Sequence, residues 1–299
     1  MAAVSEKGQT PSEKQFYSPV SQIGSKDKSV GYYEAFSSVP SDARDLLETY
    51  SGIAADEVDA HVISIRDKAW DIYPYPCIGQ FRFLNLTLYK QPSYPAMLER
   101  LKAGEARYLE IGFGLGQDIR KLVADGAPGQ NVFGSELESG FVDLSYELWR
   151  DRATLQANLV QGDALADLNG GDGGFLSLLK GKVDFLYLGM VLHVFDRERQ
   201  LTLLENCVRL LKPSGPGQSG AMILGEAVGD IEGCATPAGN FMHSDESLRQ
   251  LLAEVSEKTG RRLDCRITLD EGLAMPDAQK KWGQVRARRL AFEVEILQS

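Results

Sequence analysis

The stretch Tyr108-Leu109-Glu110-Ile111-Gly112-Phe113-Gly114-Leu115-Gly116-Gln117-Asp118 constrains this chain more than any other. It reads as a short apolar strand with an acid near its end, a turn with glycine at alternate positions, and the start of a helix. Alternating glycines let a backbone turn tightly and approach a ligand without a Cβ in the way. The helix that follows directs its free N–H groups and the positive end of its dipole at the same point. Together these features predict a site for a nucleotide-type cofactor.

The rest of the chain supplies the repeating units such a turn requires. From Arg107 the pattern alternates between strand and helix. Strands are predicted over 107–111, 131–135, 158–161, 183–189 and 221–228. Helices are predicted over 117–124, 138–153, 196–212 and 245–258, the last starting at a Ser244 or Asp245 cap. Leu201, Leu204, Val208 and Leu211 form the apolar face of the third helix, and 170–174 reads as a loop. Two β-like runs, 262–269 and 288–297, close the chain. This alternation implies parallel βαβ units with right-handed crossovers.

Residues 1–30 are polar and predicted to form a disordered arm, and 31–100 a helical or lid segment. In that segment one helix follows Pro40, capped by Ser41 or Asp42, with Leu46, Leu47 and Tyr50 inward. A second runs over 54–72, with Val58, Val62, Ile65, Ala69 and Ile72 at helical spacing. Next comes Tyr73-Pro74-Tyr75-Pro76-Cys77-Ile78-Gly79, a stiff aromatic segment. It is either a substrate wall or packing between the helices and the core. Residues 101–299 form the cofactor domain.

The cofactor follows from what surrounds the glycines. A dinucleotide site wants G-x-G-x-x-G, but here the glycines are 112, 114 and 116, and Gln117 stands where the third should fall. Glu136 ends the second strand, next to Leu137, where a carboxylate accepts hydrogen bonds from ribose hydroxyls. Asp163 and Ala164 follow the third strand, placed to hold an adenine amino group, and Gly189 ends the fourth. Two β-like runs follow the final helix, where class I S-adenosylmethionine-dependent methyltransferases insert an antiparallel seventh strand, and the four features together resemble that pattern. The expected fold is α/β, a Rossmann-like, mostly parallel seven-stranded sheet with an N-terminal helical extension. The expected cofactor-binding residues are Glu110, Gly112, Gly114, Gly116, Glu136, Leu137, Asp163, Ala164 and Gly189, with S-adenosyl-L-methionine as cofactor and no metal.

Several segments are more specific. Gly116-Gln117-Asp118-Ile119-Arg120-Lys121-Leu122-Val123, Asp125-Gly126-Ala127-Pro128, Tyr75-Pro76-Cys77-Ile78-Gly79, Ser145-Tyr146-Glu147-Leu148 and Leu192-His193-Val194-Phe195-Asp196 resemble the fungal secondary-metabolite methyltransferases of austinol-type meroterpenoid pathways. The resemblance spans roughly residues 70–260. It implies methyl-esterification of a carboxyl group on a polyketide-derived aromatic acid joined to a farnesyl chain, and a homodimer.

Acceptor chemistry decides what else is needed. A carboxylic acid with a pKa of roughly 4 is already ionised at neutral pH, whereas a phenol near 10 benefits from a base. Of the three histidines, His61 reads as structural. His193 and His243 follow the fourth and fifth strands and are the candidate catalytic, substrate-contacting groups. Each is also open to a packing role. Phenol methylation, a non-catalytic cofactor-binding regulator and a nicotinamide oxidoreductase are the alternatives.

The bulk numbers fit a globular enzyme of small molecules. The chain has 299 residues, 43% hydrophobic and 25% charged, with a formal net charge of −10. An acidic chain gains nothing from phosphate counterion release, so nucleic acid is an unexpected partner. Four scattered cysteines, a polar N-terminus and no long apolar run predict a cytoplasmic protein without a membrane span.

Overall fold

Strands buried on both faces need no polar alternation, and the apolar runs of this chain form such strands. The computed structural model describes residues 36–170, 174–213, 220–236, 239–273 and 286–297, together with Lys26, Lys28 and Tyr32. The other residues of the predicted 1–30 arm, and 171–173 of the predicted loop, lie outside the described residues. Strands β1 (Tyr108–Ile111), β2 (Val132–Glu136), β3 (Asn158–Gln161), β4 (Phe185–Gly189) and β5 (Met222–Asp230) are parallel neighbours in the order β3-β2-β1-β4-β5. Past β5 the sheet ends in β9 (Ala287–Ile296) and then β8 (Leu263–Asp270), and β9 runs antiparallel to both. The seven-stranded, mostly parallel sheet with an antiparallel last strand is thus present. A two-stranded hairpin, β6 (Cys234–Ala235) with β7 (Phe241–Met242), lies outside it and was not anticipated.

Helices cover both faces. Alternate strand residues Leu109, Ile111, Leu186, Leu188 and Ile223 pack with α8 (Arg197–Leu210) and α9 (Asp245–Thr259). The opposite set, including Tyr108, Val132, Phe185, Tyr187 and Leu224, meets α4 (Tyr94–Lys102) and α5 (Gln117–Ala124). The buried stripe of α8 runs through Leu203, Leu204, Cys207, Val208 and Leu210, with Leu201 at its half-buried margin, so it is rotated from the expected face. Helix α4 was not read from sequence, although Pro95 in its first turn is a helix-start signal. Gly174, placed in the predicted loop, instead begins the short α7 (Gly174–Leu178).

The N-terminal segment has its own apolar core, shared with the sheet domain. Helices α1 (Ser41–Thr49), α2 (Val58–Ile72) and the one-turn α3 (Pro76–Gly79) pack on α6 (Ser139–Trp149) through Leu47, Val58, Val62, Ile65, Phe141, Leu148 and Trp149. The first helix is not capped by Ser41 or Asp42. Pro40 is its N-cap, and Asp42 sits in the first turn, where its carboxylate accepts the Ala43 N–H at 3.0 Å and the Tyr89 hydroxyl at 3.0 Å. Helix α2 starts at Val58 rather than 54, because residues 54–57 close a turn through Glu57 N–H to Ala54 O. His61 Nε2 hydrogen-bonds Leu148 O at 2.9 Å, joining α2 to α6.

Candidate active site

A cavity of about 310 Å³ opens at the carboxyl ends of the parallel strands, the edge where α/β sheets bind ligands. The glycine turn forms its floor. Gly112 and Gly114 line it, with φ of +66° and +56°. A Cβ on Gly112 would stand 2.5 Å from Cγ2 of Val191, another lining residue, so that position has no room for a side chain. At Gly114 a Cβ would meet no protein atom within 4 Å, so that position faces open space.

Acids stand at the neighbouring strand ends. Glu136, 6% exposed, accepts the Gly114 N–H at 2.8 Å on Oε2 and the Glu138 N–H at 3.2 Å on Oε1. Each oxygen keeps a second lone-pair site for a ribose hydroxyl. Burial pushes its carboxyl above the usual range, and the Gly114 and Glu138 amides pull it back. Leu137, Asp163, Ala164 and Gly189 also line the cavity. Asp163 uses Oδ1 to accept the Leu165 N–H at 2.8 Å, leaving its second oxygen for a ligand donor. Gln117 Oε1, on the first residue of α5, is buried without a hydrogen-bond partner among the described residues. An orphaned acceptor beside a glycine floor and a ribose-type carboxylate fits the ammonium and nucleoside of S-adenosylmethionine.

Two expected cofactor residues lie outside the cavity lining. Glu110 is 2% exposed and accepts the Tyr108 hydroxyl at 2.9 Å; burial, then the Asp118 charge, raises its carboxyl well above the ordinary value. It therefore sits behind the turn. Gly116 is the left-handed N-cap of α5, where a Cβ would strike Arg120 Nη1 at 2.3 Å, so its role is to let the helix start.

Neither candidate histidine lines the cavity. His193 accepts the Val228 N–H at 3.2 Å on Nδ1, and desolvation, aided by Arg82, holds its pKa down at about 3. His243 is 1% exposed. Gln200 donates through its amide NH2 to the carbonyls of Leu192, Phe195 and Phe241, so its Oε1 accepts from His243 Nε2 at 2.6 Å. Nδ1 then accepts from the Ser247 hydroxyl at 2.9 Å. Burial, with Arg197 nearby, lowers the His243 pKa to about 4. Both imidazoles are held in hydrogen bonds to the protein. Their apolar sequence neighbours go with that burial.

The cavity's other walls come from the N-terminal segment and from β5. Tyr75, Cys77, Ile78 and Phe83 line it, so the stiff aromatic stretch is a wall as well as packing. Phe81, with φ +59° and ψ +21°, turns the chain so that Arg82 lines the cavity, with Nη2 4.0 Å from Met190 Sδ. Met190, also left-handed at φ +60°, follows Gly189. Bulky residues adopt that region only at a cost of order 1–3 kcal/mol. Glu226, 6% exposed on β5, faces Arg289 Nη1 at 3.4 Å, while Arg289 is held by Asp270 at 2.6 Å. Arg82 and Glu226 were not read from sequence. A lone acid inside the apolar run Met222-Ile223-Leu224-Gly225-Glu226-Ala227 was the available signal for the second.

Comparison with known proteins agrees with this geometry. Residues 32–84 match the meroterpenoid methyltransferase N-terminal domain and residues 109–215 the methyltransferase domain. The O-methyltransferase atr3 of Stereocaulon alpinum is 39% identical over 95% of this chain and 82% of its own length. The asnovolin E/chermesin D methyltransferase nvfJ of Aspergillus novofumigatus is 37% identical over 74% and 78%, and the methyltransferase ausD of Penicillium brasilianum 35% over 79% and 84%. Among solved structures, phosphoethanolamine N-methyltransferase 2 of Haemonchus contortus shares the fold, with a TM-score of 0.50 and 14% identity over 90% of this chain and 62% of that one. The chain thus belongs to the fungal S-adenosylmethionine-dependent O-methyltransferases that carry the meroterpenoid methyltransferase N-terminal domain.

Proposed function

We propose that this enzyme methyl-esterifies the carboxylate of a polyketide-derived aromatic acid bearing a terpenoid chain. The observation that carries the reading is the absence of an imidazole among the described residues lining the cavity. A carboxylic acid with a pKa of roughly 4 needs no base at neutral pH, only positioning and removal of its water. The apolar side chains of Ile78, Phe83, Phe113, Phe141, Val191 and Phe195 support that dehydration and suit a greasy acceptor.

When bound, S-adenosylmethionine supplies an electrophilic methyl group: the acceptor oxygen forms the new C–O bond as the C–S bond breaks, with its electron pair leaving on sulfur. Glu136 would hold the ribose hydroxyls and Asp163 the adenine amino group. Gln117 and the Gly112 and Gly114 backbone would hold the methionine end. Residues 31–100 would act as the acceptor-binding lid on a catalytic unit of 101–299. The homodimer implied by the family resemblance and a cytoplasmic location belong to the same reading. Sedimentation of the purified chain tests the first. The absence of a membrane-length apolar helix among the described residues and the four free thiols support the second.

Glu226 favours a second reading. A buried carboxyl pushed upward at the acceptor end has the character of a general base for a phenol. Paired probes separate the two. A farnesylated dihydroxybenzoic acid with both phenols masked as ethers should be methylated, and the same compound with free phenols and its acid masked as the amide should not. The reverse pattern favours the phenol.

A further inference from the structure

We propose that Arg82 is the recognition group for the acceptor's carboxylate, delivered into the site by the left-handed turn at Phe81. This rests on the carboxylate reading above. Arg82 is the one cationic side chain lining the cavity among the described residues. The rest of that lining is mostly apolar, with Glu136 and Asp163 grouped at the β2 and β3 ends. Arg82 stands across the sheet from them, against Met190 after β4, and its charge acts on Glu226 of β5, on His193 and on Cys77. Glu136 and Asp163, which would hold the nucleoside, stand at the β2 and β3 ends, and Arg82 stands beside Met190 at the β4 end, so the guanidinium would lie on the other side of the cavity from the nucleoside.

Three features prepare this position. The Phe81 ring is fixed between Phe36, 4.7 Å away, and the Arg66 guanidinium, 4.4 Å above it. Met190 takes up a second left-handed position facing the guanidinium. Glu226, the acid of the lining on β5, faces Arg289 at 3.4 Å as well as lying within the field of Arg82. A planar guanidinium is suited to a carboxylate because it presents parallel N–H donors.

The test uses a farnesylated dihydroxybenzoic acid as substrate and its carboxamide as competitor, with Arg82→Gln and Arg82→Lys. Loss of a charge-assisted contact should raise the KM for the acid about 30-fold in Arg82→Gln, with Arg82→Lys intermediate. The wild type's preference for acid over carboxamide should vanish in Arg82→Gln. Calorimetric affinity for S-adenosylhomocysteine should stay within about twofold of wild type, which also certifies folding. Ester formation by the wild type with an unchanged acid KM in Arg82→Gln would reject Arg82 alone. A fall of about tenfold or more in S-adenosylhomocysteine affinity would assign Arg82 to the cofactor's carboxylate instead. A wild type that methylates only phenols would remove the carboxylate reading, and the Arg82 role with it.

Discussion

Asp118, in the first turn of the helix after the glycine turn, accepts the backbone N–H of Thr87 at 2.9 Å. The same oxygen takes the Leu88 N–H at 2.9 Å, and its partner oxygen takes the Thr87 hydroxyl at 3.1 Å. Thr87 in turn accepts the Tyr187 hydroxyl at 2.7 Å. One carboxylate thus ties the end of the N-terminal segment to the cofactor helix and to β4. The Gly116-Gln117-Asp118-Ile119-Arg120 run that carries the family resemblance is, physically, the joint between the two parts.

That joint has a pH signature. Burial raises the Asp118 pKa from 3.8 to about 6. The folded state then binds more protons than the unfolded one between these values, so this group's contribution to stability falls as pH rises through that window. Asp118→Asn mimics the neutral form. Relative to wild type, it should gain about 3 kcal/mol of stability between pH 3.5 and pH 7, read from urea midpoints at both pH values. Asp118→Ala, which orphans two N–H groups, should instead lose about 3 kcal/mol at neutral pH.

The second half of the joint is a buried ion pair. Arg120, 0% exposed, holds Asp151 through two contacts at 2.9 and 3.1 Å, and Tyr50 donates to the same carboxylate at 2.8 Å. Arg120→Met or Asp151→Asn alone should cost about 3–5 kcal/mol, and the double variant Arg120→Met/Asp151→Leu should recover most of that. A double-variant cost equal to the sum of the Arg120→Met and Asp151→Leu single costs in urea denaturation would mean the pair does not act as a unit.

The glycines should separate stability from binding. Gly112→Ala drives a methyl into Val191 and should lower stability by about 2–3 kcal/mol. Gly114→Ala has protein-free space around it and should mainly weaken S-adenosylhomocysteine, by about tenfold in calorimetry. Both carry the left-handed strain, so the contrast between them is the informative quantity.

The strand ends and the glycine turn were legible because they depend on short-range pattern: an apolar run, then glycine or acid. Arg82 was not legible. Its place is set by a left-handed Phe81 between the Phe36 ring and the Arg66 guanidinium, and no periodicity encodes that. His193 and His243 do follow their strands, but neither is among the described residues that line the cavity. His243 follows Phe241-Met242 and precedes the capping Ser244, which is the surrounding of a packed residue.

Those histidines yield a further expectation. With folded pKa values near 3 and 4 against 6.5 unfolded, their stabilisation is complete above about pH 6.5 and is lost as pH falls toward those values. His243→Asn should flatten the fall in unfolding free energy between pH 6.5 and 4.5, by up to about 2–3 kcal/mol. At saturating substrate, neither His193→Ala nor His243→Asn should remove a histidine-like limb from the pH profile of turnover. A limb near pH 6.5 that disappears in either variant would restore that residue as a base.

The most direct measurement is the chemical class of the product. The wild-type enzyme is incubated with S-adenosylmethionine and a farnesylated dihydroxybenzoic acid with acid and phenols free, and the methylated product is then treated with mild alkali. The account predicts a product one methyl heavier that returns to the starting acid on hydrolysis, as an ester must. A product of the same mass that survives alkali would be an aryl ether and would contradict it.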